Sequence, residues 1–308
     1  MAQILLVGAG GVGLYYGGLL ARAGEDVAVV ARGAALEALR AGELEVRSVR
    51  SGDFRVKLRA VANPAEAGPA QVVLLCVKAY DLESAARQLA AALTPETLVL
   101  PLENGIEVPA RLRELLQGRA AVLGAAAYLE STRTAPNRVE QTGGSCRIAV
   151  GELGGGLSQR AGAVARRLQK AEIPAAAVED IEAELWNKFA FICAFGLCAV
   201  CEASIGAVLA SEAGRSAFHE LIEEGFAVGR ARGAALPADR ADRMLEIAIG
   251  LPGGMRSSLQ RDLAAGRPTE IEALHGALRR MGRAAGVATP CTDLVYAALD
   301  IRAGAGGA

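Results

Sequence analysis

Two apolar runs without turn residues open the chain. Gln3-Ile4-Leu5-Leu6-Val7 and Val27-Ala28-Val29-Val30-Ala31 have the pattern of strands buried on both faces of a parallel sheet. Between them, Gly8-Ala9-Gly10-Gly11-Val12-Gly13 leads into a helical segment at residues 14–23 that ends at Gly24. Similar apolar runs recur at residues 71–77, 98–102 and 121–127. The pattern places helices at 34–41, 82–93 and 108–116 between them. Strands alternating with helices predict an α/β fold with a Rossmann-type doubly wound sheet.

Other stretches alternate or turn polar. Residues 44–49 and 54–59, joined through Ser51-Gly52-Asp53, predict a hairpin at the sheet margin. Residues 138–142 and 146–150 flank Gly143-Gly144 and predict an antiparallel hairpin at the sheet edge. A helix at 161–171 and a last strand at 174–178 follow. From Ile181 the chain reads as helical almost throughout, at 182–203, 212–231, 237–249, 271–285 and 294–299. The boundary is placed near Val178, giving a nucleotide-binding domain over 1–178 and an all-α domain over 179–308.

Composition narrows the class. A chain of 308 residues, 52% hydrophobic and 22% charged, can build two cored domains. A net charge of -1 leaves no electrostatic footprint for nucleic acid or an anionic membrane. The first strand starts within a few residues of Met1, which leaves no room for a signal peptide. The apolar stretch 189–201 is shorter than a membrane span and stops at Glu202. Six cysteines without a secretory spacing fit a reduced, cytoplasmic protein. Cys193, Cys198 and Cys201 lie on an apolar helix with no histidine close in sequence, so they read as small core residues and no metal is expected. His219 and His275 fall in predicted helices among charged neighbours, and neither is assigned a catalytic role.

The glycine run sits where a dinucleotide fingerprint requires it, between a strand and a helix. Gly8 permits a tight turn, Gly10 admits a pyrophosphate close to the backbone, and Gly13 lets the helix pack on the sheet. Ala9, Gly11 and Val12 complete the loop, and the helix start favours negative charge. An NAD site usually carries an acid at the end of the second strand. Here that position is Arg32, whose guanidinium suits a 2′-phosphate. The expected cofactor is therefore NADPH. Lys78 follows the third run and can neutralise phosphate or hold ribose. Asn104 follows the fourth and reads either as a ligand group or as a turn-forming Asn-Gly. The helix 182–203 places Lys188 among Leu185, Trp186, Phe189, Phe191 and Ile192. A desolvated ammonium there is a usable general acid. Thr269-Glu270-Ile271-Glu272 reads as a capping box, with Thr269 and Glu272 engaged and Glu270 left for a ligand or for Lys188.

Together these motifs resemble the ketopantoate reductase (2-dehydropantoate 2-reductase) family. The pieces that carry the resemblance are the glycine fingerprint, Arg32, Val77-Lys78-Ala79, Glu103-Asn104-Gly105, Leu185-Trp186-Asn187-Lys188-Phe189, Ser257-Ser258, Asp262 and Gly266-Arg267-Pro268-Thr269-Glu270-Ile271-Glu272. The resemblance implies NADPH-dependent reduction of a 2-oxo acid, ketopantoate, to pantoate on the way to pantothenate. It implies a second domain like the helical domain of 6-phosphogluconate dehydrogenase, serving substrate binding and dimerisation. It makes Lys188 the general acid and Glu270 a residue that fixes bound ligands. It gives Asn104 contact with cofactor and substrate, and Ser258 a role in substrate binding. A homodimer rests on the resemblance alone. Many family members carry asparagines four and eight residues after the lysine, where this chain has Ile192 and Gly196. That departure opens a second expectation, a less polar 2-oxo acid or ketone as substrate. A dehydrogenase for 3-hydroxy acids or opine-type imines, and a non-catalytic NADP(H)-binding protein, are the remaining alternatives.

Overall fold

The computed structural model describes residues 3–305. Eleven strands run in chain order as β1 (Ile4–Val7), β2 (Val27–Val30), β3 (Leu44–Ser48), β4 (Phe54–Val56), β5 (Arg59–Val61), β6 (Val72–Leu75), β7 (Leu98–Pro101), β8 (Ala121–Val122), β9 (Gly124–Ala135), β10 (Arg138–Gly151) and β11 (Ala175–Ala177). The helices among them are α1 (Gly11–Arg22), α2 (Gly33–Ala41), α3 (Pro64–Ala67), α4 (Leu82–Leu89), α5 (Val108–Leu116) and α6 (Gln159–Lys170).

The expected parallel sheet is present, with strand order β5-β2-β1-β6-β7-β8 and every pairing parallel. Its continuous apolar runs have a direct cause. Successive side chains of a strand face opposite ways, and each face here has its own core. Ile4, Leu6, Val27, Val29, Val72 and Leu74 enter one core, while Leu5, Val7, Ala28, Val30, Val73 and Leu75 enter the other. Neither face meets water, so neither can be polar.

The second sheet differs from the sequence reading. It runs β11-β10-β3-β4, and β9 pairs antiparallel with β10. The expected hairpin at 44–59 exists only as β3 with β4. The run 54–59 breaks, and β5 leaves to pair with β2 in the parallel sheet. The hairpin expected around Gly143-Gly144 is instead one strand, β10, and the reversal lies before it, between β9 and β10. The glycine pair marks irregular register in β10. Gly144 has φ +80°, and a Cβ there would lie 3.0 Å from the Tyr128 carbonyl oxygen. A bulge mimics a turn in sequence because both call for glycine in the left-handed region.

The helices that follow are α7 (Ile181–Val200), α8 (Ile205–Ala210), α9 (Glu212–Ala231), α10 (Arg240–Ile249), α11 (Ser258–Ala264), α12 (Ala277–Ala285) and α13 (Pro290–Ala305). By length and hydropathy α7 could cross a membrane, but 56% of its apolar window is buried inside the protein. Trp186, Phe189, Cys193 and Cys198 join its core, whereas Cys201 is exposed. Helix α13 starts earlier than the pattern indicates. The buried carboxylate of Glu224, on α9, accepts hydrogen bonds from Cys291 N (2.7 Å), Thr292 N (2.8 Å) and Thr292 Oγ1 (2.6 Å). A remote acid thus caps the helix, where local sequence would show nothing.

The capping box expected at 269–272 is replaced by a π-helical turn, Glu272–Gly276, leading into α12. Glu272 turns to Arg280 and accepts a bond from Tyr296 Oη at 3.0 Å. By contacts the chain divides into two compact units. One runs to Glu103 and resumes over Val108–Glu182. The other comprises Asn104–Glu107 and the chain from Ala183 onward.

Candidate functional site

In the sheet unit, the carboxyl ends of β1, β2 and β6 lie along one edge because the three strands are parallel neighbours. That edge gathers the Gly8–Gly13 loop, Arg32 and Lys78. The loop's geometry is tightly determined at two glycines and open at a third. Gly8 has φ +114°, and its Cβ would sit 2.6 Å from the Cys76 carbonyl oxygen. A Cβ on Gly13 would sit 2.0 Å from the Gly8 carbonyl oxygen. Gly10 differs: its φ is -86°, which any residue adopts, and nothing lies within 4 Å of a Cβ built there. It is also the N-cap of α1, with no side chain capping the helix. An open space above an uncapped helix N-terminus fits a pyrophosphate.

Arg32 is exposed at the end of β2, where it is the N-cap residue of α2. Its Nη2 donates to Gln88 Oε1 at 3.1 Å. The Gln88 amide in turn donates to Ser84 O (3.1 Å) and Ser84 Oγ (3.0 Å). Gln88 thereby orients the guanidinium without neutralising it. The sequence reading missed Gln88, which lies 56 positions from Arg32. Lys78 is half-buried, two residues beyond the Cys76 carbonyl that underlies Gly8.

In the helical unit, Lys188 and Glu270 are both 7% exposed, and Ser258 is half-buried. Their chain neighbours Phe189, Ile271 and Leu259 share one hydrophobic core. Asn104 is half-buried in the short segment Asn104–Glu107, which groups with this unit. Arg280 Nη2 donates to Glu107 Oε2 at 3.0 Å, and Ile106 packs on the helical core. Asn187, beside Lys188, accepts from Arg240 Nε at 2.7 Å. The buried thiols offer no competing chemistry: burial pushes the Cys193 thiol up, and that of Cys198 up to about 12.

Position 196 has a packing explanation. A Cβ on Gly196 would lie 2.2 Å from His275 Nε2 and 2.7 Å from Val295 Cγ1. The imidazole fills the place a side chain would need. His275 is fully buried, contrary to the charged surroundings expected from sequence, and its Nε2 lies 2.8 Å from the Cys193 carbonyl oxygen. A carbonyl only accepts, so Nε2 carries the hydrogen. Burial pushes the imidazole pKa down to about 4. The unfolded chain binds this proton near pH 6.5, while the folded chain refuses it until about pH 4. Stability should therefore be full above pH 6.5 and fall by about 3 kcal/mol as pH drops from 6.5 to 4. Urea unfolding of the protein and of His275→Gln across that window checks this. The stability difference between them should shrink steadily as pH falls, and parallel curves would remove His275 from the acid response.

A parallel sheet with this glycine turn, followed by a helical unit, is the architecture of oxidoreductases that use a nicotinamide cofactor. The family model for ketopantoate reductase PanE/ApbA matches residues 4–155, and that for its C-terminal part matches residues 180–303. The chain belongs to the ketopantoate reductase PanE/ApbA family. It is 32% identical over 317 residues to a 2-dehydropantoate 2-reductase of Mesorhizobium japonicum, covering 96% of each chain. The crystal structure of a PanE/ApbA family ketopantoate reductase from Ralstonia eutropha JMP134 superposes with a TM-score of 0.90 at 32% identity, covering 99% of this chain and 100% of that one. A ternary structure of D-mandelate dehydrogenase with NADH and anilino(oxo)acetate shares the fold, with a TM-score of 0.88 at 20% identity and 99% coverage of both chains.

Proposed function

We propose that this family oxidoreductase reduces a 2-oxo acid with NADPH and that Lys188 is its general acid. The observation that carries the reading is the burial of an ammonium, 7% exposed, on the most apolar helix of the protein. A structural lysine would normally reach for solvent. When bound, the cofactor supplies a hydride to the carbonyl carbon. Lys188 donates its proton to the carbonyl oxygen as charge grows there, giving the hydroxy acid. Glu270 and Ser258 hold the ligands, and Asn104 bonds cofactor and substrate. The glycine loop and Lys78 hold the phosphates and ribose, and Arg32 selects the 2′-phosphate. The cytoplasm supplies the reduced cofactor for this direction.

Ketopantoate is the family's substrate class and the first candidate. Gly196 favours a second reading, a 2-oxo acid that lacks the hydroxyl of ketopantoate. Its position is occupied by His275, and Ile192 offers no hydrogen bond. One pair of substrates separates the two readings: ketopantoate and 2-oxo-3,3-dimethylbutanoate, which differ only by that hydroxyl. A site that bonds the hydroxyl should prefer ketopantoate by roughly 10⁴-fold or more in kcat/KM, whereas an apolar wall changes it by about 10²-fold or less. We expect the smaller ratio. A large preference for ketopantoate would restore it as the substrate, and no turnover of either with NADPH or NADH would overturn the reductase reading.

A further inference from the structure

We propose that Arg133 is a second cofactor-selecting residue that shares the 2′-phosphate with Arg32. The inference rests on the NADPH reading above. Arg32 and Arg133 line one hollow of about 310 Å³, with Ala34, Ala35, Thr134 and Pro136 among its walls. The two guanidinium groups come from different sheets, Arg32 from the end of β2 and Arg133 from β9. No carboxylate lines the hollow. Arg32 bonds only the neutral Gln88, and Arg133 has no ion pair among the described residues. The hollow also contains the first turn of α2, which no side chain caps. Two like charges beside a helix's positive end repel one another unless an anion joins them. A phosphate dianion with three free oxygens can accept from both forks at once.

The strand that carries Arg133 is fixed against the glycine loop. A Cβ on Gly11 would lie 2.4 Å from the Ser131 carbonyl oxygen and 3.0 Å from Ser131 Oγ. Strand β9 therefore passes directly beside the N-terminus of α1. Ser131 and Arg133 are two residues apart in a regular stretch, paired with Gln141 and Val139 of β10. They share a face of the strand and stand about 7 Å apart. That is comparable to the ribose separating the pyrophosphate from the 2′-phosphate. One strand thus touches the loop at Ser131 and reaches the hollow at Arg133.

The test is the dissociation constant of NADPH and of NADH, read by cofactor fluorescence on the full chain, for Arg32→Ala, Arg133→Ala and the double variant. Arg133→Ala should weaken NADPH about tenfold and change NADH by less than about twofold. Arg133→Lys should recover part of the loss. The double variant should bind the two cofactors nearly alike. If Arg32→Ala alone loses NADPH selectivity and Arg133→Ala keeps it, Arg133 is a solvated surface charge and the proposal is wrong, while the NADPH reading stands. If neither variant alters the NADPH-to-NADH ratio, the NADPH reading itself fails and takes this proposal with it. Equal weakening of both cofactors by Arg133→Ala would also overturn it, by showing a general effect on the loop.

Discussion

Replacing Lys188 by alanine should lower kcat by roughly 10²- to 10⁴-fold, the usual worth of a positioned proton donor. NADPH affinity should change by less than about threefold, because the glycine loop and Arg32 belong to the sheet unit. Lys188 is buried beside Trp186 and Phe189 in sequence, both of which enter the helical core. Truncation therefore removes a charge from an apolar setting and leaves the surrounding side chains in place. Lys188→Arg sharpens the reading. It keeps the positive charge but holds its proton too tightly to deliver it near neutral pH. Binding of the 2-oxo acid should survive that change better than turnover does. Single-turnover kinetics with saturating NADPH checks both variants. If cofactor binding and thermal stability fall together with kcat, the lysine is holding the helical core instead.

The second large effect is expected at the glycine loop, where two alanine substitutions should fail in different ways. Gly10→Ala should fold normally, since its φ of -86° suits alanine and nothing lies within 4 Å of the new Cβ. It should nevertheless lose most NADPH affinity, because the methyl group would occupy the space above the helix start. Gly13→Ala should damage the fold itself. Its Cβ would stand 2.0 Å from the Gly8 carbonyl oxygen, a backbone atom that can move only if α1 separates from β1. Overpacking of that kind costs about 1–3 kcal/mol or more. Thermal unfolding separates the two outcomes, and cofactor titration then reads Gly10→Ala alone. If Gly10→Ala retains full NADPH affinity, no pyrophosphate sits above that residue.

The parallel sheet was legible because a strand buried on both faces has no freedom in composition. The runs at Ile4, Val27, Val72 and Leu98 could be little else. The second sheet was harder to read. Its strands are part polar, and β10 carries Gly143-Gly144 in its interior, a bulge with the chemistry of a turn. The start of α13 was invisible for another reason: its cap is Glu224, supplied from 68 positions earlier. Among candidate site residues, those at strand ends were readable because a parallel sheet aligns its carboxyl ends. Gln88, Arg133 and His275 were not. Each draws its significance from a partner distant in sequence, and no local spacing announces that. Gly196 shows the same limit. Beside family asparagines it looks like lost chemistry, while in the fold it makes room for a ring from another helix.

The π-helical turn at Glu272–Gly276 has a consequence for how the chain tolerates insertion and deletion. A π turn holds one residue more than the α-helix it interrupts. Removing a single residue from it would restore regular α-helix and rotate everything on its N-terminal side by about 100° relative to α12. Glu270 lies on that side, two residues before the turn. The azimuth of a buried carboxylate is thus stored as an extra residue, a setting that one-codon length changes can alter but point substitutions cannot. Homologous chains that lack the extra residue would need a gap at this turn when aligned, or their glutamate would be matched to the wrong face of the helix.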